Sequence, residues 1–152
     1  MKVFVDAATG IQGDYADWVA AFSNLWRGGR SNEQRFMDLM GSEIVLSAPG
    51  LRPTKGRAAG SEAFRRTFAV LPDLTADVHR WSATGDVLFI EMTFHATIGG
   101  RMVHWRNVDR FLFADGYAIE RLAYFDPSKL RRAFLRRPSG WLQMLRRATS
   151  GL

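Results

Sequence analysis

Between Asp86 and Asp126 apolar and polar residues alternate with the two-residue period of β-strands, interrupted at Gly99-Gly100 and Asp115-Gly116. The pattern predicts strands over 86–98, 101–113 and 117–125, with a fourth over 74–84 that turns at Gly85-Asp86. Leu88, Ile90, Met92, Phe94, Ala96 and Ile98 share one face of their strand, and Glu91, Thr93, His95 and Thr97 share the other. A two-residue turn at Gly99-Gly100 sets Phe94 opposite Trp105, Met92 opposite Asn107 and Ile90 opposite Asp109. Trp105, Asn107 and Asp109 therefore join the apolar face. In the last hairpin a two-residue turn would set Arg110 against Arg121. A three-residue loop, Ala114 to Gly116, instead pairs Asp109 with Arg121 and Arg110 with Glu120, two opposite-charge pairs worth about 0.2–1 kcal/mol each. That register is preferred, and it adds Arg121, Ala123 and Phe125 to the face that holds Asp109.

Helical spacing lies upstream. Asp14 can cap a helix over 14–27 whose Tyr15, Trp18, Val19, Phe22, Leu25 and Trp26 fall on one side, ended by Gly28-Gly29. Ser31 and Gln34 resemble a capping box for a short second helix with Phe36, Leu39 and Met40, stopped by Gly41. Ile44, Val45 and Leu46 mark a strand over 43–48 that enters a loop at Pro49. A third helix from about Arg57 carries Phe64, Phe68 and Leu71 until Pro72. Helices that must cover the apolar face of a curved sheet predict an α+β cone: a curved antiparallel sheet wrapped on three N-terminal helices, half open, with an internal pocket. Trp18, Trp26, Phe68, Met92, Phe94, Trp105 and Phe125 are its candidate lining, beside Phe22 and Phe64.

Length and charge narrow the picture. A chain of 152 residues with 47% hydrophobic content suits one domain, burying about 70% of its unfolded surface. There is no cysteine, hence no disulfide and no thiolate chemistry. No apolar run approaches the length of a membrane span, and the short Val3-Phe4-Val5 run is no signal-peptide core, so a cytoplasmic protein is expected. Lys129, Arg131, Arg132, Arg136, Arg137, Arg146 and Arg147, against Asp126 alone, account for the whole net charge of +6. The chain divides accordingly into a cone domain over 1–126 and a basic amphipathic helical extension over 127–152, broken at Pro138 and packed on the same domain.

The order of these elements, with Trp18-Val19-Ala20-Ala21-Phe22 in the first helix, Gly56 to Phe64 leading the third, Asp109-x-Phe111-x-Phe113, and Tyr124-Phe125-Asp126 closing the sheet, resembles the SnoaL-like and nuclear transport factor two-like superfamily. Ketosteroid isomerases, polyketide cyclases and limonene-epoxide hydrolases belong to it. The resemblance implies a cone-shaped, cystatin-like α+β barrel, a small-molecule pocket and cofactor-independent acid–base chemistry of the isomerase, cyclase or hydrolase kind. Of the isomerase site, only Asp109 matches, as the Asp of the oxyanion hole. Ala48 stands at the base position and Trp18 at the tyrosine position, so steroid isomerisation is not expected. The Asp, Arg and Asp of the epoxide hydrolases would fall near Ile90, Met92 and Ala123, and the cyclases' His has no assured counterpart on the face of Asp109.

Asp109 is the catalytic candidate, since a carboxylate aimed into an apolar cone is disfavoured as the anion unless something pairs with it. Arg121 is the candidate partner, and the pair is structural if it forms. Asn107 is placed to orient a ligand carbonyl. His95, His104 and Glu91 share the convex face without metal-ligand spacing, so no metal and no cofactor is expected. Ser47 lacks a partner His, and Gly-rich phosphate loops are absent. The expected ligand is a small apolar, carbonyl-bearing molecule. The alternative is a non-catalytic ligand-binding or dimerising accessory domain. The convex face, with Phe89, Val108, Leu112 and Leu122 among charges, suits a homodimer. The basic extension suits weak contact with an anionic membrane, and base-reading motifs for nucleic acid are absent.

Overall fold

In a computed structural model of the chain, the described residues are 1–136 together with Pro138, Ser139, Leu142 and Leu145. The readings made for Arg137, Trp141, Met144, Arg146 and Arg147 lie outside them. A short hairpin, β1 (Val3–Asp6) and β2 (Ile11–Gly13), precedes helix α1 (Tyr15–Gly28). Asp14 caps α1 by accepting from the Asp17 backbone N–H while the Asp17 side chain accepts from the Asp14 N–H. The second helical segment is a 3₁₀ helix, Gly29–Leu39, continuous with α1 and without a side-chain cap. Ser31 donates its hydroxyl to the Gly28 carbonyl instead of forming the expected capping box. Gly29, at φ 55°, lets the chain turn where a Cβ would lie 2.4 Å from the Leu74 carbonyl oxygen.

Strand β3 (Met40–Ser47), the two-residue β4 (Thr54–Lys55) and helix α2 (Arg57–Val70) lead to the meander β5 (Thr75–Thr84), β6 (Val87–Ile98), β7 (Arg101–Ala114) and β8 (Tyr117–Tyr124). One six-stranded sheet results, in the order β4-β3-β8-β7-β6-β5. It is mixed, not wholly antiparallel as expected, because β3 pairs with β8 in parallel. The reason is topological: α2 carries the chain from β3 to the far edge, and the meander returns with β8 running alongside β3.

The β6–β7 register is the expected one, with Phe94 opposite Trp105, Met92 opposite Asn107 and Ile90 opposite Asp109. The β7–β8 register is not. The turn is the two-residue Asp115-Gly116, with Ala114 opposite Tyr117, and the extra residue sits inside β8 as a bulge at Ile119. Asp109 thus faces Ala123 and Arg110 faces Leu122, so the two ion pairs form diagonally instead of directly across. The bulge restores the parity the expected loop would have supplied. Without it, Glu120 would point inward and Arg121 outward.

Rings of α1, the 3₁₀ segment, α2 and the sheet fill the space under the helices. Trp18 meets Phe111 at 4.8 Å and Phe113 at 5.4 Å, and Trp26 meets Phe36 at 4.6 Å and Phe94 at 4.8 Å. The interior that sequence patterning left hollow is a packed core, since large side chains project into it from both layers. Helix α3 (Pro127–Leu135), capped by Asp126, packs Leu130, Ala133 and Phe134 against this core and turns its cations outward.

Candidate functional site

Buried charge inside the cone is concentrated on one group. Asp109 is fully buried on β7, and Arg121 on β8 keeps 13% of its side chain exposed. Arg121 Nε donates to Asp109 Oδ2 at 2.8 Å, and Nη2 lies 2.7 Å from the same oxygen. The other oxygen, Oδ1, accepts from Asn107 Nδ2 at 2.9 Å. Both carboxylate oxygens are therefore engaged. Two residues apart on one strand, Asn107 and Asp109 point the same way, which is why the amide reaches the carboxylate.

Aromatic rings complete the enclosure of the guanidinium. Arg121 Cζ lies 5.7 Å from the Trp26 ring, 5.8 Å from Phe64 and 6.0 Å from Phe22, within range of cation–π attraction. Phe22 and Trp26 come from successive turns of α1, and Phe64 from α2. Sequence patterning placed these residues along the cone wall, but it carried no signal that they would surround Arg121.

Two polar atoms in this cluster are buried without a hydrogen-bond partner among the described residues: the Trp26 indole Nε1 and the Asn107 Oδ1. The contrast with Trp18 is informative, because its Nε1 donates to the Leu39 carbonyl at 3.1 Å. Trp18 anchors α1 to the 3₁₀ segment, whereas Trp26 offers a free donor. Of the remaining expected lining residues, Met92 and Phe68 are fully buried, Phe94 stacks on Trp105 at 5.4 Å, and Phe125 is half-buried against the core. Ala48, at the position of the missing base, is half-buried at the end of β3.

On the convex face His95 bonds Asp77 at 3.1 Å, its ring lies 6.3 Å from that of His104, and Glu91 pairs with Arg80 at 2.7 Å. His95 and Glu91 thus take separate partners, and His104 meets only the His95 ring among the contacts of the described residues. Among the described residues no helix is long and apolar enough to cross a membrane.

The family model of the SnoaL-like domain matches residues 15–121, which span α1 to the Arg121 of the buried pair. This chain belongs to the SnoaL-like domain family. Its fold is nuclear transport factor two-like, shared with solved structures at low identity. One is a proposed SnoaL-like polyketide cyclase from Jannaschia sp. CCS1, 18% identical over 76% of this chain and 86% of that one, with a TM-score of 0.66. Another is an epoxide hydrolase of limonene-epoxide hydrolase type from M. tuberculosis, 22% identical over 84% and 91%, with a TM-score of 0.62. A third is a protein of ketosteroid isomerase-like fold from Catenulispora acidiphila in complex with trimethylamine, 18% identical over 81% and 95%, with a TM-score of 0.69. No curated protein matches this SnoaL-like chain.

Proposed function

We propose that this SnoaL-like domain binds, without a cofactor, a small apolar molecule whose carbonyl oxygen and neighbouring hydroxyl enter the Trp26–Asn107–Arg121 cluster. The observation that carries the reading is the pair of unpartnered buried atoms, one donor and one acceptor, beside the Asp109–Arg121 pair and the rings that enclose it. Leaving such atoms unsatisfied costs about 1–3 kcal/mol each, a penalty that a matching ligand removes. Trp26 Nε1–H donates to the carbonyl oxygen, and Asn107 Oδ1 accepts from the hydroxyl. Phe22, Phe64, Phe94 and Trp105 contribute apolar contact. Because rings fill the cone, binding involves a side-chain rearrangement and selects small ligands.

In this reading Asp109 orients Asn107 and neutralises Arg121. Asp109 is fully buried with one oxygen held by the guanidinium and the other by the amide, an arrangement that favours binding over acid–base turnover by Asp109. Calorimetric titration with 3′-hydroxyacetophenone, whose hydroxyl cannot bond its own carbonyl, tests this, with ethylbenzene as the control that lacks both polar groups. Asn107→Leu and Trp26→Phe each weaken the hydroxyketone by about tenfold and leave ethylbenzene unchanged. Equal effects on both probes would remove the polar pair from the account.

A second reading rests on a different observation. Phe89 and Tyr124 are 44% and 49% exposed. We propose that this convex face meets a second copy of the chain.

A further inference from the structure

The Gly99-Gly100 hairpin and α3, far apart in sequence, build one cleft of about 360 Å³ lined by Ile98, Arg101, Met102, Val103, Lys129, Arg132, Ala133 and Arg136. Its floor is apolar and its rim is cationic. Among the described residues none of Arg101, Lys129, Arg132 and Arg136 forms an ion pair. Asp126 is the nearby carboxylate, and it is held by the backbone N–H and hydroxyl of Ser128. Arg131 adds a further exposed cation on α3. Exposed apolar side chains flank the charges: Met102 at the hairpin tip is 62% exposed, and Leu135 at the end of α3 is 57% exposed.

From this juxtaposition we propose that the hairpin tip and α3 together form an anionic-membrane docking edge, whose cations meet lipid phosphates while Met102 and Leu135 enter the headgroup region. Charge complementarity selects the occupant. A rim of four cations, with Asp126 as its one nearby carboxylate among the described residues, complements an acidic phospholipid surface, and side chains as exposed as Met102 and Leu135 gain burial against an extended apolar boundary. The helix alone is a basic amphipathic segment. The structure adds Arg101 and Met102, which sequence separation had kept apart from it. This edge is independent of the cone site.

The test is co-sedimentation of the full chain with phosphatidylcholine vesicles containing 30% phosphatidylserine, against pure phosphatidylcholine. Binding to the anionic vesicles only, lost in 0.5 M NaCl, is expected. Arg101→Ala with Arg132→Ala lowers partitioning about 25-fold, at about fivefold per cation near an anionic surface. The hairpin pair Arg101→Ala with Met102→Ser, which leaves the helix and the residues after it intact, also lowers it at least fivefold. All these side chains are exposed, and unchanged circular dichroism melts certify the fold. Wild-type partitioning of the hairpin pair, equal binding to neutral vesicles, or insensitivity to salt would each overturn the proposal. Binding of sodium octanoate to the cleft without vesicle binding would overturn it too, in favour of a soluble amphiphile.

Discussion

Replacing Arg121 by Met leaves the Asp109 carboxylate with no countercharge in a fully buried position. Met keeps most of the side-chain volume against Phe22, Trp26 and Phe64, so the loss is electrostatic more than steric. Breaking one side of a buried pair costs about 3–5 kcal/mol, because the remaining charge has neither water nor partner. For a chain of this size that is a fall in melting temperature of about 6–20 °C. Asp109→Asn acts on the same pair differently. The amide still accepts from Arg121 Nε, and the guanidinium keeps three rings and some solvent contact, so about 1–3 kcal/mol is expected. The double variant is then less destabilised than the two single losses added together. Urea denaturation followed by circular dichroism and tryptophan fluorescence measures all four proteins. An Arg121→Met loss below about 1 kcal/mol, or strict additivity of the two changes, would refute the idea that this pair holds the centre of the cone.

Three further outcomes are expected. Trp18→Phe strands the Leu39 carbonyl and lowers stability by about 1–3 kcal/mol in the same denaturation assay, without altering hydroxyketone affinity. Burial pushes the Asp73 carboxyl up, but hydrogen bonds from the hydroxyl and backbone N–H of Thr97 and from its own backbone N–H outweigh it and hold the group below the ordinary carboxylate value. A depressed folded pKa means that this contribution is present above the unfolded value and lost as pH falls through the folded one, so Asp73→Asn flattens the stability curve below about pH 4 in acid titration. If the proposed convex-face dimer forms, Phe89→Glu with Tyr124→Glu converts it to monomer in sedimentation, and a wild-type chain that sediments as monomer, or a sedimentation coefficient unchanged by the two substitutions, would exclude that face as the contact.

Local rules carried the β6–β7 hairpin entirely: glycine pairs favour a tight two-residue turn, and a twelve-residue alternation leaves one register that keeps Leu88, Ile90, Met92 and Phe94 on the same side. The next hairpin obeyed the same turn chemistry but moved its irregularity into the strand. Pairing charges across it identified the correct partners, Asp109 with Arg121 and Arg110 with Glu120, and the wrong register, since long side chains reach diagonally as well as straight across. A bulge at Ile119 leaves no local signature in the sequence.

The β1–β2 hairpin escaped notice because its strands are too short for a periodic pattern. It is held from outside, by Phe4 stacking on Tyr117 at 4.1 Å and by the Phe4 N–H donating to Gly116. The parallel pairing of β3 depends on where α2 takes the chain, which is a tertiary property. Within the site, Asn107 and Asp109 were legible from strand parity, whereas Arg121 was reached through charge pairing on a register that the structure corrects. The difference between Trp18 and Trp26 was not, because both lie on the apolar stripe of α1 and only the Leu39 carbonyl separates their roles.

The indole N–H signals of the five tryptophans report on the ligand contact directly. In a heteronuclear nuclear magnetic resonance titration with 3′-hydroxyacetophenone, with Trp26→Phe assigning the signal, the Trp26 indole proton should move downfield as its N–H gains an acceptor. The Trp18 signal, already bonded to Leu39, should stay in place. A Trp26 signal that stays fixed while the hydroxyketone binds, or that moves equally with ethylbenzene, would contradict a polar ligand contact inside the cone.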